Sequence, residues 1–226
     1  HQKTPPNSKQ FHEQIALGTY SPIKGFMNRN NLESVLNKNQ LDDGTIWTLP
    51  IILQVAESMV SNFGVGDRIA LKGINGKVTA YIDVSEIYTF PLERTSISWF
   101  GTASTYHPGV KRLHEKGNTC VAGKVTLVER SSTPYRHYEL TPAQTRLVFA
   151  KKGWSKVIGF HTRNVVHRVH HYLQLKALEQ TGADGLYISP VIGQKKIHDF
   201  LPEPIMKSYQ TLLESGEYPR NKVVLG

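Results

Sequence analysis

The 226 residues hold one cysteine, Cys120, so no internal disulfide can form and no CxxC pair exists to bind zinc. That scarcity suits a reducing compartment, and a cytoplasmic location is the expectation. No apolar run approaches the ~18 residues of a transmembrane helix, so no membrane partner is expected. A GxSxG nucleophile elbow is also missing, which removes one common hydrolase arrangement. The opening stretch 1–10 has no apolar signal-peptide segment and reads as a polar arm with Pro5 and Pro6. Internal repeats and low-complexity tracts are absent. Acidic residues are scarce: 18 Asp and Glu face 27 Lys and Arg, and the net charge of +9 favours anionic partners such as nucleic acid, nucleotides or small oxyanions.

What is present divides into two textures. Ser21-Pro22-Ile23-Lys24-Gly25-Phe26-Met27 reads as a turn carrying large apolar side chains, and Leu32, Val35 and Leu36 recur at helical spacing. From Trp47 the pattern turns to short strands: 50–55, 69–71, the return strand 77–84 after the hairpin pair Asn75-Gly76, and 121–128. These predict a small β-barrel or sandwich over about 45–130. Beyond it, Thr141-Pro142 opens a helix, 156–160 is an apolar strand, and a helix runs from about Val165 to Gln180, closed by Thr181-Gly182. A strand at 186–188, a helix near 204–214 and a strand at 222–225 complete a β-α-β-α-β order, hence an α/β layer with a parallel sheet. The expected domains are 1–138 and 139–226. A three-stranded sheet is short for a self-sufficient catalytic domain, so the chain reads as part of a longer protein.

The densest polar cluster is Gly159-Phe160-His161-Thr162-Arg163-Asn164-Val165-Val166-His167-Arg168-Val169-His170-His171, at a strand-to-helix junction. Backbone N–H groups and the helix dipole favour an anion there. His167 and His170, three apart, are expected on one face of the helix's first turns, with Arg163 and Asn164 just before it. This donor set suits a phosphorus or sulfur oxyanion and can stabilise charge on a phosphoryl group in flight. A metal site built from His161, His167, His170 and His171 is disfavoured, because neighbouring arginines oppose a cation.

These residues resemble the ATP sulfurylase (sulfate adenylyltransferase) family of the HxxH nucleotidyltransferases. His161-Thr162-Arg163-Asn164-x-x-His167-x-x-His170 is similar to that family's QTRN–HRAH signature. Ser21 to Met27 resembles its SPLxGFM, Leu49-Pro50-Ile51-Ile52-Leu53 its IPIVL strand, and Gly66 to Leu71 its GDxIAL. Phe100-Gly101-Thr102 with His107-Pro108-Gly109-Val110 resembles FGTxDxxHPGV, and the order is kept from residue 11 onward. The resemblance implies an α+β then α/β architecture: a PUA-like β-barrel domain followed by a Rossmann-like parallel-sheet nucleotidyltransferase domain, incomplete here. It implies ATP + sulfate ⇌ adenylylsulfate + pyrophosphate by direct in-line attack, with Mg²⁺ on the ATP and a homo-oligomeric assembly. By the same resemblance His161, Thr162 and Arg163 would hold sulfate; Asn164, His167, His170 and Lys196 would bind nucleotide; and His167, His170, Arg163 and Asn164 would carry catalysis.

Several positions depart from the family pattern. His161 stands where Gln is usual, Val165 where Pro is usual, and His198 where Gly is usual; Asp199 matches alongside Lys196. The GRDHAG and MRYAG-like stretches lie past the last residue, so the adenosine pocket is expected to be incomplete. Three alternatives stay open at this level: an RNA-binding PUA-type module, a degenerate homologue without activity, and an adenylyltransferase for another oxyanion. Nucleic acid is disfavoured, because basic and aromatic residues interleave only in the short stretch of Arg130, Tyr135, Arg136, His137 and Tyr138.

Overall fold

The computed structural model describes residues 11–73, 76–130, 132–193 and 199–226, so the arm 1–10, Asn75, Lys196 and His198 lie outside it. The chain forms two compact units, His1–Ser132 and Thr133–Gly226.

The first unit runs α1 (Phe11–Leu17), β1 (Gly25–Phe26), α2 (Arg29–Lys38), β2 (Leu53–Gln54), α3 (Glu57–Val60), β3 (Arg68–Lys72), β4 (Val78–Thr89), α4 (Leu92–Phe100), α5 (Pro108–Glu115) and β5 (Thr119–Leu127). Its five-stranded sheet is antiparallel, in the order β1-β5-β4-β3 with β2 also on β5. Strand β5 is central, and both of its faces are covered. Val121 and Val125 enter one core with Phe26, Leu53, Ala80, Ile82 and Val84, while Cys120 and Ala122 enter a second with Leu32, Tyr88, Phe90 and Leu113. The register of β4 against β5 shifts between Val84 and Glu86. That bulge reverses which face the later residues occupy, so Val84 belongs to the first core and Tyr88 to the second.

Two helices occupy a stretch read from the sequence as strands and turns. Helices α4 and α5 cover the second core with Leu92, Trp99, Phe100 and Leu113. Helix α5 starts on the signature His107-Pro108: Pro108 takes the first turn, and the His107 ring accepts the Gly109 N–H. Strands β1 and β5 meet through Gly25 and Gly123, and a methyl group on Gly25 would overlap the Gly123 carbonyl.

The second unit runs α6 (Pro142–Lys151), β6 (Val157–Thr162), α7 (Arg168–Thr181), β7 (Gly185–Pro190), α8 (Pro202–Glu214) and β8 (Val223–Leu225). Its sheet is parallel, ordered β6-β7-β8. A capping box starts α6: the Thr141 side chain accepts the Gln144 N–H, and Gln144 Oε1 accepts the Thr141 N–H. Gly182 ends α7 in the left-handed region, φ 61°. One sheet face, with Ile158, Phe160, Leu186 and Ile188, packs on Leu175 and Leu178 of α7 and on Ile205, Met206 and Tyr209 of α8. On the other face, Phe149 of α6 meets Tyr187 edge-on at 5.7 Å.

Candidate functional site

The carboxyl ends of three parallel strands lie side by side, with His161 opposite Ser189, Thr162 opposite Pro190, and the Gly226 N–H bonded to the Ile188 carbonyl. Open α/β sheets bind ligands at this edge. Alternation along β6 sends Phe160 into the core and leaves His161 exposed, and the next residue, Thr162, is again buried. The sequence-predicted cluster therefore splits. Thr162 turns inward, where its Oγ1 accepts the Asn164 N–H at 3.2 Å and its carbonyl accepts the Val191 N–H at 2.7 Å. Arg163 and Asn164 are exposed at the mouth.

The helix starts later than the apolar spacing suggested. Residues 163–167 form a loop, α7 begins at Arg168, and His167 is its N-cap rather than part of its first turn. Val165 and Val166 pack on the core, and the Val166 N–H is drawn to Ser208 Oγ on α8 at 3.1 Å, outside any helical ladder. The two histidines meet all the same, because their rings stack with centroids 3.8 Å apart. The His167 side chain makes no cap hydrogen bond, so it does not itself satisfy the first N–H groups of α7.

Burial pushes the His170 pKa below the ordinary imidazole value, the neighbouring His167 lowers it further, and the Val165 backbone opposes both. His170 lies edge-on to Phe160 at 5.5 Å, and its buried Nδ1 has no hydrogen-bond partner. Arg163 faces Asp199 at 3.8 Å, with 61% of its side chain exposed against 19% for Asp199. The guanidinium is thus held loosely, within reach of an incoming anion.

His171, the fourth histidine of the sequence cluster, points elsewhere: its Nδ1 lies 3.4 Å from Glu217, and Tyr218 meets its ring edge-on. Among the described residues no group of three His, Cys, Asp or Glu side chains is placed to hold a metal ion. The basic-aromatic stretch is engaged within its own fold: Tyr135 and Tyr138 pack on the second unit's core, Arg136 pairs with Glu139 at 3.2 Å, and Arg130 pairs with Glu13 at 3.6 Å. Ser208 went unnoticed in the sequence, because its contact with Val166 spans 42 positions and leaves no local signal. No helix among the described residues is long and apolar enough to cross a membrane.

Comparison with known proteins follows the same division. The family model of a PUA-like domain matches residues 6–130, and that of ATP-sulfurylase matches residues 136–226. The chain is 41% identical over 213 residues to a sulfate adenylyltransferase of Pyrococcus abyssi, covering 94% of this chain and 54% of that protein. It is 37% identical over 214 residues to one from Synechococcus sp., with the same two coverages. The chain spans about half the length of these curated relatives. A solved structure described as a hexameric APS kinase from Thiobacillus denitrificans shares the fold at TM-score 0.72 and 23% identity, over 98% of this chain and 40% of that one. With a PUA-like unit and an ATP-sulfurylase unit in that order along the chain, this protein belongs to the ATP sulfurylase family.

Proposed function

We propose that the chain carries the oxyanion- and phosphate-handling part of a sulfate adenylyltransferase, which joins sulfate to the α-phosphorus of ATP and releases pyrophosphate. The observation that carries this reading is that exposed Arg163 and Asn164 lie in the same β6–α7 connection as the stacked His167–His170 pair, at the sheet's carboxyl edge. Sulfate attacks in line, the bond from the α-phosphorus to the bridging oxygen breaks, and the leaving pyrophosphate carries the charge away. Chemistry of this kind needs positioning and positive potential more than it needs a covalent intermediate.

Each residue has a role in this scheme. Arg163 and His161 hold sulfate, with Thr162 contributing through the turn it anchors. Asn164, His167 and His170 donate to the α- and β-phosphates, where a neutral His170 supplies a hydrogen bond at little electrostatic cost before the phosphates arrive. Lys196, outside the described residues, adds nucleotide contact. The mouth presents cationic and neutral donors, and its one named carboxylate, Asp199, faces Arg163, so Mg²⁺ arrives on ATP as part of the substrate. A cytoplasmic homo-oligomer completes the reading.

The test supplies adenylylsulfate and pyrophosphate to the 226-residue chain and follows ATP. ATP from the parent, lost in His170→Ala and in His167→Ala, is the expected result. Equal ATP from parent and variants would refute the assignment. A second reading, activation of another oxyanion, is favoured by the exposed imidazole of His161 in place of the family's amide. His161→Gln is expected to shift the ratio of sulfate to selenate or molybdate turnover, and an unchanged ratio removes His161 from selectivity.

A further inference from the structure

We infer that Ser208 on α8 is a positioning residue for this site: its hydroxyl holds the Val166 N–H and so sets where α7 begins and where the His167 ring stands against His170. The inference rests on the roles proposed above for His167 and His170.

The hydroxyl is used twice. Ser208 Oγ donates to the Ile205 carbonyl one turn back at 2.8 Å, and it accepts the Val166 N–H at 3.1 Å. The first bond takes up the hydroxyl proton and fixes the rotor, which leaves lone pairs for the loop. Ser208 therefore acts as an acceptor here. The support behind it is rigid, because Ile205 and Tyr209, on either side of it in α8, are both 0% exposed in the core.

At the other end of the bond, the Val165 and Val166 side chains pack on the same core. Val166 is thus held by side chain and backbone together. His167 follows in extended conformation, φ −139° and ψ 171°, and its carbonyl accepts the His171 N–H at 3.1 Å as α7 starts. From there its ring lies 3.8 Å from that of His170, centroid to centroid, with the planes 29° apart. A helix start is commonly fixed by the side chain of its N-cap, yet His167 makes no such bond. The fixing bond comes one residue earlier and from another helix.

Ser208 serves α8 itself less well than alanine would. Serine is the poorer helix former, so its replacement by alanine gains helix propensity while it gives up one hydrogen bond. These two effects oppose each other in stability. Their effects on the loop do not cancel, because only the hydrogen bond reaches Val166.

The test compares the parent with Ser208→Ala, Ser208→Cys and Ser208→Thr. Four quantities are read: melting temperature, exchange of the Val166 amide by NMR, the nuclear Overhauser contact between the His167 and His170 rings, and kcat and KM for ATP formation from adenylylsulfate and pyrophosphate. Ser208→Ala is expected to melt near the parent temperature, to speed Val166 exchange about tenfold, to weaken the ring contact, and to lower kcat about tenfold at unchanged KM, as a small misplacement of reacting groups does. Ser208→Thr keeps the hydroxyl and should restore all four. If Ser208→Ala does not fold, Ser208→Cys gives the same comparison, because a thiol fills the place but accepts weakly. Parent-like Val166 exchange and ring contact in the alanine or cysteine variant, at whatever melting temperature, would make Ser208 a packing residue and overturn the proposal. If the parent makes no ATP, the proposed function fails, and Val166 exchange with the ring contact still decides whether Ser208 positions the histidines.

Discussion

The two units treat buried polar groups differently. In the first, those that enter the core are settled: His12 bonds Thr79 at 2.6 Å, Gln54 donates to the Leu113 carbonyl at 2.9 Å, and Tyr88 donates to the Met27 carbonyl at 2.9 Å. Its one thiol, Cys120, is raised to about 12 chiefly by burial and is chemically quiet at neutral pH. In the second unit, His170 Nδ1, His171 Nε2, Gln174 Nε2 and the Tyr209 hydroxyl are buried without partners. All four side chains lie on α7 or α8, the helices that back the site loop. The first unit closes these polar groups in formed hydrogen bonds, whereas the second keeps buried polar atoms without them on the two helices behind residues 163–167.

Variants in the two units should therefore fail in different ways. The largest effect is expected at the mouth: Arg163→Ala and His170→Ala lower ATP formation by about 10²- to 10³-fold, with melting temperatures near the parent's. A steep loss of melting temperature in either would put these side chains with the core and erase the contrast. Gly25→Ala is the converse case. Its methyl would overlap the Gly123 carbonyl, so a loss of about 3 kcal/mol is expected in urea unfolding of the first unit. A parent-like midpoint would show that β1 and β5 can separate cheaply.

A smaller effect concerns Asp184, whose Oδ2 accepts N–H bonds from Ser155 and Lys156 and the Ser155 hydroxyl, all at 2.8–2.9 Å. Those bonds hold its carboxyl at about 2, against an ordinary value near ~3.9. Because the folded pKa is depressed, the contribution is present above about pH 4 and is lost as pH falls toward 2. Asp184→Asn should flatten the acid limb of stability between those values, and an unchanged limb would dismiss the staple. The smallest effect is the cap: Thr141→Ala should cost about 1 kcal/mol, measured by thermal unfolding, with site behaviour intact.

Legibility in the sequence followed the range of the interactions. Thr141 and Gln144 cap a helix from three residues apart, and Gly182 ends one alone, so both were readable. The strands β3 to β5 and β6 to β8 announced themselves through apolar alternation or short apolar runs. Helices α4 and α5 were missed within a stretch dominated by strand signals, although Leu92, Thr95, Ser96 and Trp99 recur at helical spacing. The start of α7 was read three residues early, because Val165 and Val166 fit a helical stripe while their actual anchor, Ser208, is remote in the chain. The His167–His170 pair was expected on one helical face; the rings do stack, but with His167 as the N-cap before the helix. Ser208 could be seen only once α8 was folded against the loop.

The central claim is that the mouth of the second unit binds a phosphorus or sulfur oxyanion through Arg163 and the histidine pair. The most direct check is an NMR titration of the His170 ring in the 226-residue chain, alone and with adenylylsulfate. Burial and His167 place its midpoint below the ordinary ~6.5 in the free protein. A bound anion should raise that midpoint in the parent and leave it where it was in Arg163→Ala. A midpoint unmoved by adenylylsulfate in the parent would contradict the account.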